Sequence, residues 1–367
     1  MWIHEHPNWT QFTWNIESLS SHLSDIRYRQ GRLFGRMENL GFTLQQEAQL
    51  KMLTDDVLSS SAIEGEIFNP IEVRSSIARR LHLEIAGMVP ATRHIDGVVE
   101  MMLDATQYYT NQVSAERLCR WHASLFPTGR SNMQKISVGQ WRLGPMQVIS
   151  GAFGKERIHY EAPEATRLEQ EMNAFLTWCT TKQRIDPVLK AGIAHFWFVT
   201  IHPFDDGNGR IARALGDLFL SRADESAQRF YSLSRQIEAD RGSYYDTLEK
   251  QQRNSSDITL WLDWFLNCLD RALTHSEKVL SSILFKAHLW NTLNTRGVNE
   301  RQRLVINRML EESFKGFMNT SKYATLAKCS NDTALRDIQD LKAGGFFLQN
   351  TGGGRSTSYR LTQTIPS

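Results

Sequence analysis

Residues 202–213 read His-Pro-Phe-Asp-Asp-Gly-Asn-Gly-Arg-Ile-Ala-Arg. Immediately afterwards, apolar side chains recur at the spacing of a helix, at Ile211, Leu215, Leu218 and Phe219. This spacing predicts a helix that begins near Asn208 and turns its apolar stripe toward the core. The preceding loop therefore leads directly into a helix N-terminus.

A helix N-terminus in this setting is suited to bind an anion. Its first backbone N–H groups have no partner inside the helix, and the helix dipole adds partial positive charge. Gly207 and Gly209 lack a Cβ that would keep a ligand away from the backbone. Arg210 and Arg213 share one helix edge, where each guanidinium can hold phosphate oxygens through paired hydrogen bonds. The segment therefore predicts a phosphate-binding site.

Two other side chains of the segment have chemistry that suits such a site. The Asp206 carboxylate would repel a phosphate unless a cation such as Mg²⁺ bridges the two. His202 is the one group there that can take up a proton near neutral pH. For an isolated segment, packing or helix capping by His202, Asp206 or Asn208 is the usual alternative. Here nearly every position has the residue type that phosphate handling requires, which favours the phosphate site.

The segment resembles the signature HxFx(D/E)GNGRxxR of the Fic (filamentation induced by cAMP) family. Residues 202–213 meet every position of that signature. The resemblance implies a helical domain that transfers AMP from ATP to a hydroxyl-bearing side chain of a target protein and releases pyrophosphate. Transfer of this kind depends mainly on positioning and charge neutralisation, which a base, a metal ion and fixed cations supply.

The resemblance implies a role for each side chain before the helix. His202 is the general base that deprotonates the incoming Ser, Thr or Tyr hydroxyl. Phe204 anchors the loop in the core. Asp206 holds Mg²⁺ between the α- and β-phosphates of ATP.

The resemblance also implies how the helix start holds the nucleotide. The backbone amides of Gly207 and Gly209, together with Asn208, grip the phosphates. Arg210 and Arg213 take the β- and γ-phosphates.

Two further segments extend the resemblance. Residues 139–142 read Gly-Gln-Trp-Arg, and two short runs around a turn at residues 151–154 follow them and predict a β-hairpin. Such a hairpin resembles the family's flap, which pairs with the target backbone as an added strand; an ordinary surface hairpin is the alternative. Tyr244, Tyr245 and Gln252 fall where related proteins line the adenine pocket, although core positions would also explain the tyrosines.

A second motif precedes the signature in the chain. Residues 60–65 read Ser-Ser-Ala-Ile-Glu-Gly and match the inhibitory pattern (S/T)xxxE(G/N) of many Fic proteins. The resemblance implies a brake formed by Ser60, Glu64 and Gly65, in which Glu64 pairs with Arg213 and costs the nucleotide its productive pose. An exposed glutamate at a helix end is the alternative. A carboxylate at this place would also position water, so the same site could remove AMP from modified targets.

Composition excludes several classes of protein. With 367 residues, 41% hydrophobic and 22% charged, the chain is neither collagen-like nor wholly disordered and has room for two or three domains. A net charge of +2 excludes nucleic-acid binding by overall charge alone. The four cysteines have no CxxC pair, which predicts reduced core thiols. Without a signal pattern or a long apolar run, we expect a cytoplasmic protein with no membrane contact.

The charge is unevenly distributed along the chain. Residues 301–367 contain ten Lys or Arg and five Asp or Glu, a net +5 that leaves −3 for the preceding 300 residues. Three helical patterns, ending near residues 310, 328 and 342, are followed by two short strands around a glycine-rich tip. This order resembles a winged helix-turn-helix with the third helix for the major groove and Arg355 at the wing. That fold serves protein contacts as often as DNA, so both partners stay open.

Helical spacing dominates, so we predict a mainly α fold: a Fic-type helical core with a β-hairpin flap, plus a C-terminal winged helix-turn-helix domain. Helices are predicted over residues 44–63 and 187–201, and a longer one ends before Gly297. The predicted divisions are an aromatic-rich N-terminal segment at 1–35, a helical region with the inhibitory helix at 36–110, the catalytic core at 111–290 and the winged module at 291–367. The aromatic segment either packs on the chain or docks a partner.

The sequence thus predicts a self-inhibited protein adenylyltransferase that uses ATP and Mg²⁺ and modifies a hydroxyl-bearing protein, itself included. One alternative is a winged-helix DNA-binding regulator whose nucleotide site is only a sensor. Another donor, such as UTP or GTP, is equally compatible with phosphate-binding residues. A metal-dependent hydrolase is disfavoured, because His195 and His202 have no further cluster of ligands. Pairing of subunits into a homodimer is left open.

Overall fold

The structure is a computed structural model that describes residues 1–131, 133–151, 156–311, 314–351 and 357–362. It divides into two compact units, Met1–Glu277 and Lys278–Ser367. The limits predicted for the four segments of the chain stay predictions. None of the helices in the described ranges is long and apolar enough to cross a membrane.

Helices dominate both units, and the prediction of a mainly α fold is confirmed. Those that begin in the first unit are α1 (Ile16–Glu38), α2 (Phe42–Ile63), α3 (Pro70–Arg80), α4 (Arg93–Gln107), α5 (Ala115–Leu125), α6 (Leu168–Thr180), α7 (Pro187–Ile201), α8 (Asn208–Asp224), α9 (Leu233–Ala239), α10 (Arg241–Gln252) and α11 (Thr259–Arg296). The second unit adds α12 (Glu300–Met309), α13 (Thr320–Ala327) and α14 (Asn331–Ala343). Two short 3₁₀ helices occupy Ile3–Glu5 and Ala165–Arg167.

The strands in the described ranges form three antiparallel pairs. They are β1 (Arg130–Ser131) with β2 (Gln134–Lys135), β3 (Gln147–Ser150) with β4 (Arg157–Glu161), and β5 (Phe347–Gln349) with β6 (Tyr359–Leu361). The β3–β4 hairpin is the predicted one, and its register shifts between Val148 and Ile149. The predicted turn residues 152–154 lie outside the described residues.

Helices α7 and α8 pack against each other at the centre of the first unit. Helix α7 begins where the Asp186 carboxylate accepts the Val188 N–H at 2.7 Å, with Pro187 at the first position. It ends at His202, whose backbone is left-handed with φ +52°. Helix α8 begins after Gly207 (φ +79°), so the predicted bounds of α7 and the predicted start of α8 are confirmed. The loop between two buried helices is thereby fixed at both ends.

The C-terminal end of α2 has the hydrogen bonds of a Schellman motif. The Gly65 N–H donates to the Ala62 carbonyl at 2.9 Å, and the Glu66 N–H donates to the Ser61 carbonyl at 3.0 Å. Gly65 itself has φ +84°, which a residue with a side chain adopts only with strain. The prediction that Glu64 ends this helix and Gly65 stops it is confirmed.

The N-terminal aromatic residues pack on the helical core. Trp9 is buried and meets Trp197 of α7 edge to face, with ring centroids 6.2 Å apart. Phe12 meets Phe196 of the same helix in a similar way. For these two rings, the contacts agree with packing against the chain rather than with docking of a partner.

The second unit has the predicted order of three helices followed by two strands. Its own core includes Leu293, Ile306, Tyr323 and Ile338. The glycine-rich tip with Arg355 lies outside the described residues. The winged-helix assignment and DNA binding stay predictions.

Candidate active site

His202 is the first residue of the loop between α7 and α8, and one of its ring nitrogens takes part in a hydrogen bond. Its Nδ1 is 3.0 Å from the carbonyl oxygen of Val199, which accepts a hydrogen bond only if Nδ1 carries the proton. In the neutral ring, Nε2 therefore keeps its lone pair. Burial lowers the pKa of His202, which favours this neutral form at neutral pH. The histidine thus has the charge state and tautomer of a general base.

The loop after His202 is held by its own side chains. The Asn208 amide accepts the Phe204 N–H at 2.9 Å and donates to the Phe204 carbonyl at 2.8 Å. Phe204 is fully buried and stacks on His122, with ring centroids 4.2 Å apart. Asn208 therefore closes the loop in this structure, and its predicted contact with phosphate stays a prediction. The anchoring role implied for Phe204 agrees with its burial.

His122 supports this packing as a neutral ring. Burial lowers its pKa to about 4, so at neutral pH its Nδ1 accepts a hydrogen bond from the Gly139 N–H at 3.0 Å. Gly139 opens the Gly-Gln-Trp-Arg segment that leads into the hairpin. A lone histidine within a helix carries no sequence signal for this role.

Arg142 joins the loop to the base of the hairpin. Its side chain is 2% exposed and donates to the carbonyl oxygens of His202 at 2.9 Å and Gly144 at 2.7 Å, and to that of Pro163. Its own N–H donates to the Pro203 carbonyl at 2.8 Å. One buried guanidinium thus satisfies carbonyl groups from three separate stretches of chain. Spacing along the chain does not indicate that Arg142 holds the His202 backbone in place.

Both arginines of the signature are buried, and each still has an unpaired donor. Arg210 is 2% exposed and Arg213 is 1% exposed. Among the described residues, Arg210 Nε and Arg213 Nη1 are buried without a hydrogen-bond partner. An unsatisfied buried donor on a cation is costly unless an anionic ligand takes it. This arrangement fits the predicted phosphate site.

The end of α2 reaches both arginines. Arg213 donates from Nε to the Ser60 hydroxyl at 3.0 Å and from Nη2 to the Glu64 carboxylate at 2.8 Å. The predicted pairing of Glu64 with Arg213 is therefore present in the geometry. Arg210 donates from Nη1 to the Glu66 carboxylate at 2.8 Å, a contact that sequence reasoning missed. Its only signal was a second glutamate two residues after the first.

Gly207 and Gly209 leave little room beside the backbone. A Cβ on Gly209 would lie 2.3 Å from the Glu64 carboxylate oxygen, and one on Gly207 would lie 2.9 Å from the Phe126 ring. These approaches are closer than side-chain atoms tolerate. At Gly207 the ring contact and the left-handed backbone together require glycine, whereas at Gly209 the flexible Glu64 side chain would have to shift to admit a Cβ.

Asp206 is already oriented by its neighbours. One carboxylate oxygen accepts the Gly207 N–H at 2.6 Å, and the other accepts a hydrogen bond from the Ser131 hydroxyl. The described residues contain no cluster of three His, Cys, Asp or Glu side chains that would hold a metal by themselves. Mg²⁺ commonly binds through one or two carboxylates together with substrate phosphates. A single carboxylate beside a phosphate site therefore fits a magnesium ion that arrives with a nucleotide.

The three predicted adenine-pocket residues differ in accessibility. Tyr244 is buried, and its hydroxyl lies 2.9 Å from His195 Nε2. Gln252 is also buried and donates to the Thr200 hydroxyl at 3.3 Å. Tyr245 is 38% exposed, and burial together with the Glu64 charge raises the pKa of its phenol. Of the three, Tyr245 alone offers an accessible ring near the brake, and a nucleotide contact for each of them stays a prediction.

The hairpin is tied down along one strand. The Tyr160 hydroxyl on β4 donates to the Thr200 carbonyl at 2.8 Å, and His159 and Arg157 both contact Glu249 of α10. Strand β3 pairs only with β4 among the described strands. Its outer edge is therefore the edge to which an extended segment of another chain could be added.

The helical fold, the His202 ring with a free Nε2 and the buried arginines at the start of α8 agree with the resemblance to the Fic family. Residues 112–220 match the model of the Fic/DOC family, and residues 2–83 match a domain of unknown function, DUF4172. A stretch that matches DUF4172 thus precedes a stretch that matches the Fic/DOC family.

Curated relatives share this domain at modest identity. "Protein adenylyltransferase Fic" of Nematostella vectensis is 25% identical over 228 residues, which is 59% of this chain and 47% of that protein. The protein of the same name from Aedes aegypti is 27% identical over 235 residues, 62% of this chain and 42% of that protein. The chain thus covers less than half the length of each of these relatives.

Solved structures share the fold. A Fic family protein from Desulfovibrio desulfuricans has a TM-score of 0.51 at 18% identity, covering 94% of this chain and 96% of that one. A Fic domain containing signaling protein from Bacteroides thetaiotaomicron has the same TM-score at 19% identity, covering 71% and 96%. At this identity the likeness shows the fold alone.

The bracing role of Arg142 gives a prediction about stability. We expect Arg142→Met to lower the free energy of unfolding by about 3 kcal/mol, because it removes a buried cation that donates to three carbonyl groups. The measurement is urea denaturation followed by tryptophan fluorescence. Arg157→Met is the matched control, since Arg157 forms an exposed ion pair worth about 1 kcal/mol at most. Equal losses in the two variants would contradict the bracing role.

Proposed function

We propose that the chain is a self-inhibited protein adenylyltransferase that transfers AMP from ATP to a Ser, Thr or Tyr hydroxyl of a target protein, itself included. The observation that carries this proposal is a single loop that joins the free Nε2 of His202 to two buried arginines with unpaired donors. A base and a phosphate-binding site so joined suit attack of a hydroxyl on a nucleotide phosphate. The curated relatives named protein adenylyltransferase Fic support the same reaction.

The proposed reaction is one displacement at the α-phosphorus. The hydroxyl oxygen of the target forms the new bond to phosphorus, and the bond from that phosphorus to the bridging oxygen of the β-phosphate breaks. The hydroxyl proton passes to His202 Nε2, and pyrophosphate leaves. Val199 keeps the proton on Nδ1, so Nε2 is the nitrogen that receives the new one.

The arginines and the helix start hold the triphosphate in this proposal. Arg210 Nε and Arg213 Nη1 donate to phosphate oxygens, and the dipole of α8 adds positive charge at Gly207 and Gly209. Asp206 would hold Mg²⁺, which when bound neutralises phosphate charge. Fixed groups of this kind stabilise charge in the transition state without reorganising.

The target is proposed to add a strand to the outer edge of β3. Arg142 supports this, because it binds both the base of the hairpin and the His202 carbonyl and so couples the position of the strand to that of the base. A hydroxyl presented from such a strand would be held relative to Nε2. Positioning of this kind supplies a large part of the rate enhancement in two-substrate reactions.

Self-inhibition is proposed to follow from the ion pair between Glu64 and Arg213. While the carboxylate occupies Nη2, a γ-phosphate has to compete for the same guanidinium. Ser60 strengthens the arrangement, since its hydroxyl and its carbonyl oxygen both accept from Arg213. The resting enzyme would therefore bind ATP in a pose that does not react.

Substitution of the proposed brake, Glu64, and of the proposed base, His202, should change self-labelling in opposite directions. We expect Glu64→Gly to raise self-labelling by about tenfold or more, because Arg213 becomes free to bind phosphate. The double variant Glu64→Gly/His202→Ala should lose labelling while keeping the same melting temperature. Mass spectrometry after incubation with ATP and Mg²⁺ measures the AMP adduct. Labelling in the double variant equal to that in Glu64→Gly would overturn the role of His202.

The identity of the donor is tested on the same active variant. Unlabelled ATP should suppress labelling by radioactive ATP more strongly than UTP or GTP at equal concentration. Stronger suppression by one of the other two would move the proposal to that donor.

The pKa of His202 predicts how the reaction depends on pH. Because burial lowers this pKa below its usual value near 6.5, the base form predominates above pH 6.5, and activity is lost only as pH falls through the lowered pKa. Single-turnover labelling by Glu64→Gly, followed from about pH 5 to pH 8, should show an acid limb with its midpoint below 6.5. A midpoint above 7 would contradict His202 as the neutral base.

A further inference from the structure

The Schellman motif at the end of α2 presents two carboxylates. Glu64 and Glu66 flank Gly65, whose left-handed backbone reverses the chain between them. Both their N–H groups donate to the same carbonyl oxygen, that of Ser61, at 3.0 Å each. The two glutamate side chains therefore extend from one fixed piece of backbone.

The two carboxylates meet the two arginines of the signature one to one. Glu64 contacts Arg213 at 2.8 Å, and Glu66 contacts Arg210 at 2.8 Å. The arginines are three residues apart on α8, and the glutamates are two residues apart across the glycine. One rigid turn of backbone thus pairs with both cations of the phosphate site.

Glu66 is held in place from its other side. The same carboxylate oxygen that accepts from Arg210 lies 3.0 Å from His94 Nε2 on α4. The ring of Phe68 packs edge to face on His94, with centroids 5.3 Å apart. Although burial alone would raise the pKa of Glu66, the hydrogen bond from His94 and the charge of Arg210 hold it below its usual value. Glu66 is therefore ionised at neutral pH.

The balance of charge shows why Glu66 matters. Arg210 and Arg213 supply two positive charges, against which stand the carboxylates of Glu64, Glu66 and Asp206. Removing Glu64 leaves the two cations balanced by two carboxylates, so the net charge of these side chains rises only to zero. Only when Glu66 is also neutral does the site become positive toward a triphosphate.

We propose that Glu66 is a second inhibitory carboxylate, which holds Arg210 and so sets the affinity of the phosphate site for a nucleotide triphosphate. This inference rests on the proposed function, because it assigns regulation to the same site. It goes beyond the brake at Glu64: full release requires both carboxylates to leave their arginines. His94 connects this second contact to α4, outside the loop that carries the signature.

Removal of Glu66 should change nucleotide binding in one direction if Glu66 orients Arg210, and in the other direction if Glu66 competes with phosphate. A carboxylate that merely oriented Arg210 toward phosphate would make binding weaker when removed. A carboxylate that competes with phosphate makes binding tighter when removed. Measuring the sign of the change therefore decides between the two.

The test is direct binding of a nucleotide that cannot transfer AMP. α,β-Methylene-ATP has a methylene group in place of the bridging oxygen that the reaction breaks. Its dissociation constant from the full chain is measured by isothermal titration calorimetry in the presence of Mg²⁺. We expect Glu64→Gly/Glu66→Gln to bind about tenfold more tightly than Glu64→Gly, since competition for a shared arginine couples the two ligands.

The matched control is Glu64→Gly/Glu72→Gln, which removes a carboxylate from the nearby α3. Its affinity should equal that of Glu64→Gly, which excludes a general effect of net charge. Equal or weaker binding by the Glu66 variant would overturn the inference. Tighter binding in both double variants would also overturn it.

Failure of the proposed function would give a different experimental result from failure of this inference. If ATP labels none of the variants, the transferase proposal fails, while the calorimetric comparison still decides whether Glu66 competes with phosphate. If Glu64→Gly labels itself strongly and Glu66→Gln adds no affinity, the transferase stands and the second carboxylate is excluded.

Discussion

The structure depends on two guanidiniums buried at the start of α8. Arg210 and Arg213 are almost inaccessible, and a buried cation without a partner costs several kcal/mol. In the resting arrangement, carboxylates from the end of α2 supply the partners. A triphosphate would supply them in the proposed active state. The same physical requirement that would make the site bind phosphate thus also suits the carboxylates that it holds in this structure.

The loop between α7 and α8 is rigid because its polar groups are satisfied from several directions. The left-handed backbone at His202 is unfavourable for a residue with a Cβ, and it persists where the surroundings fix it. Arg142 binds the carbonyl of His202 and shares its donors with the hairpin base. Asn208 and Phe204 close the loop from the side of the core. A histidine held in this way would need little movement to act as the proposed base.

The β3–β4 hairpin is attached to helices α7 and α10 through its second strand. Strand β4 is tied to α10 through Glu249 and to the end of α7 through Tyr160, whereas in the described part of the chain β3 pairs with no strand other than β4. The anchored strand fixes where the open edge lies relative to His202. An open strand edge held in this way is the geometry that the proposed addition of a target strand would require.

Residues 202–213 and 60–65 determined much of this by themselves. Helical periodicity indicated the start of α8, because burial of an apolar face sets that period, and an almost uniformly apolar run over residues 187–201 indicated α7. The glycines and the spacing of Arg210 and Arg213 indicated a phosphate site, because those features are local to one helix end. A resemblance to a family motif supplied the expectation that Glu64 pairs with Arg213.

Only the tertiary structure decided the contacts between distant segments. Glu66 meets Arg210 across 144 positions of sequence, and Arg142 meets His202 across 60. The contact between the Tyr244 hydroxyl and His195 joins residues 49 positions apart, while the predicted nucleotide contact of Tyr244 stays a prediction. Which side chain satisfies a buried donor depends on how helices pack, and pattern and spacing along the chain do not contain that information.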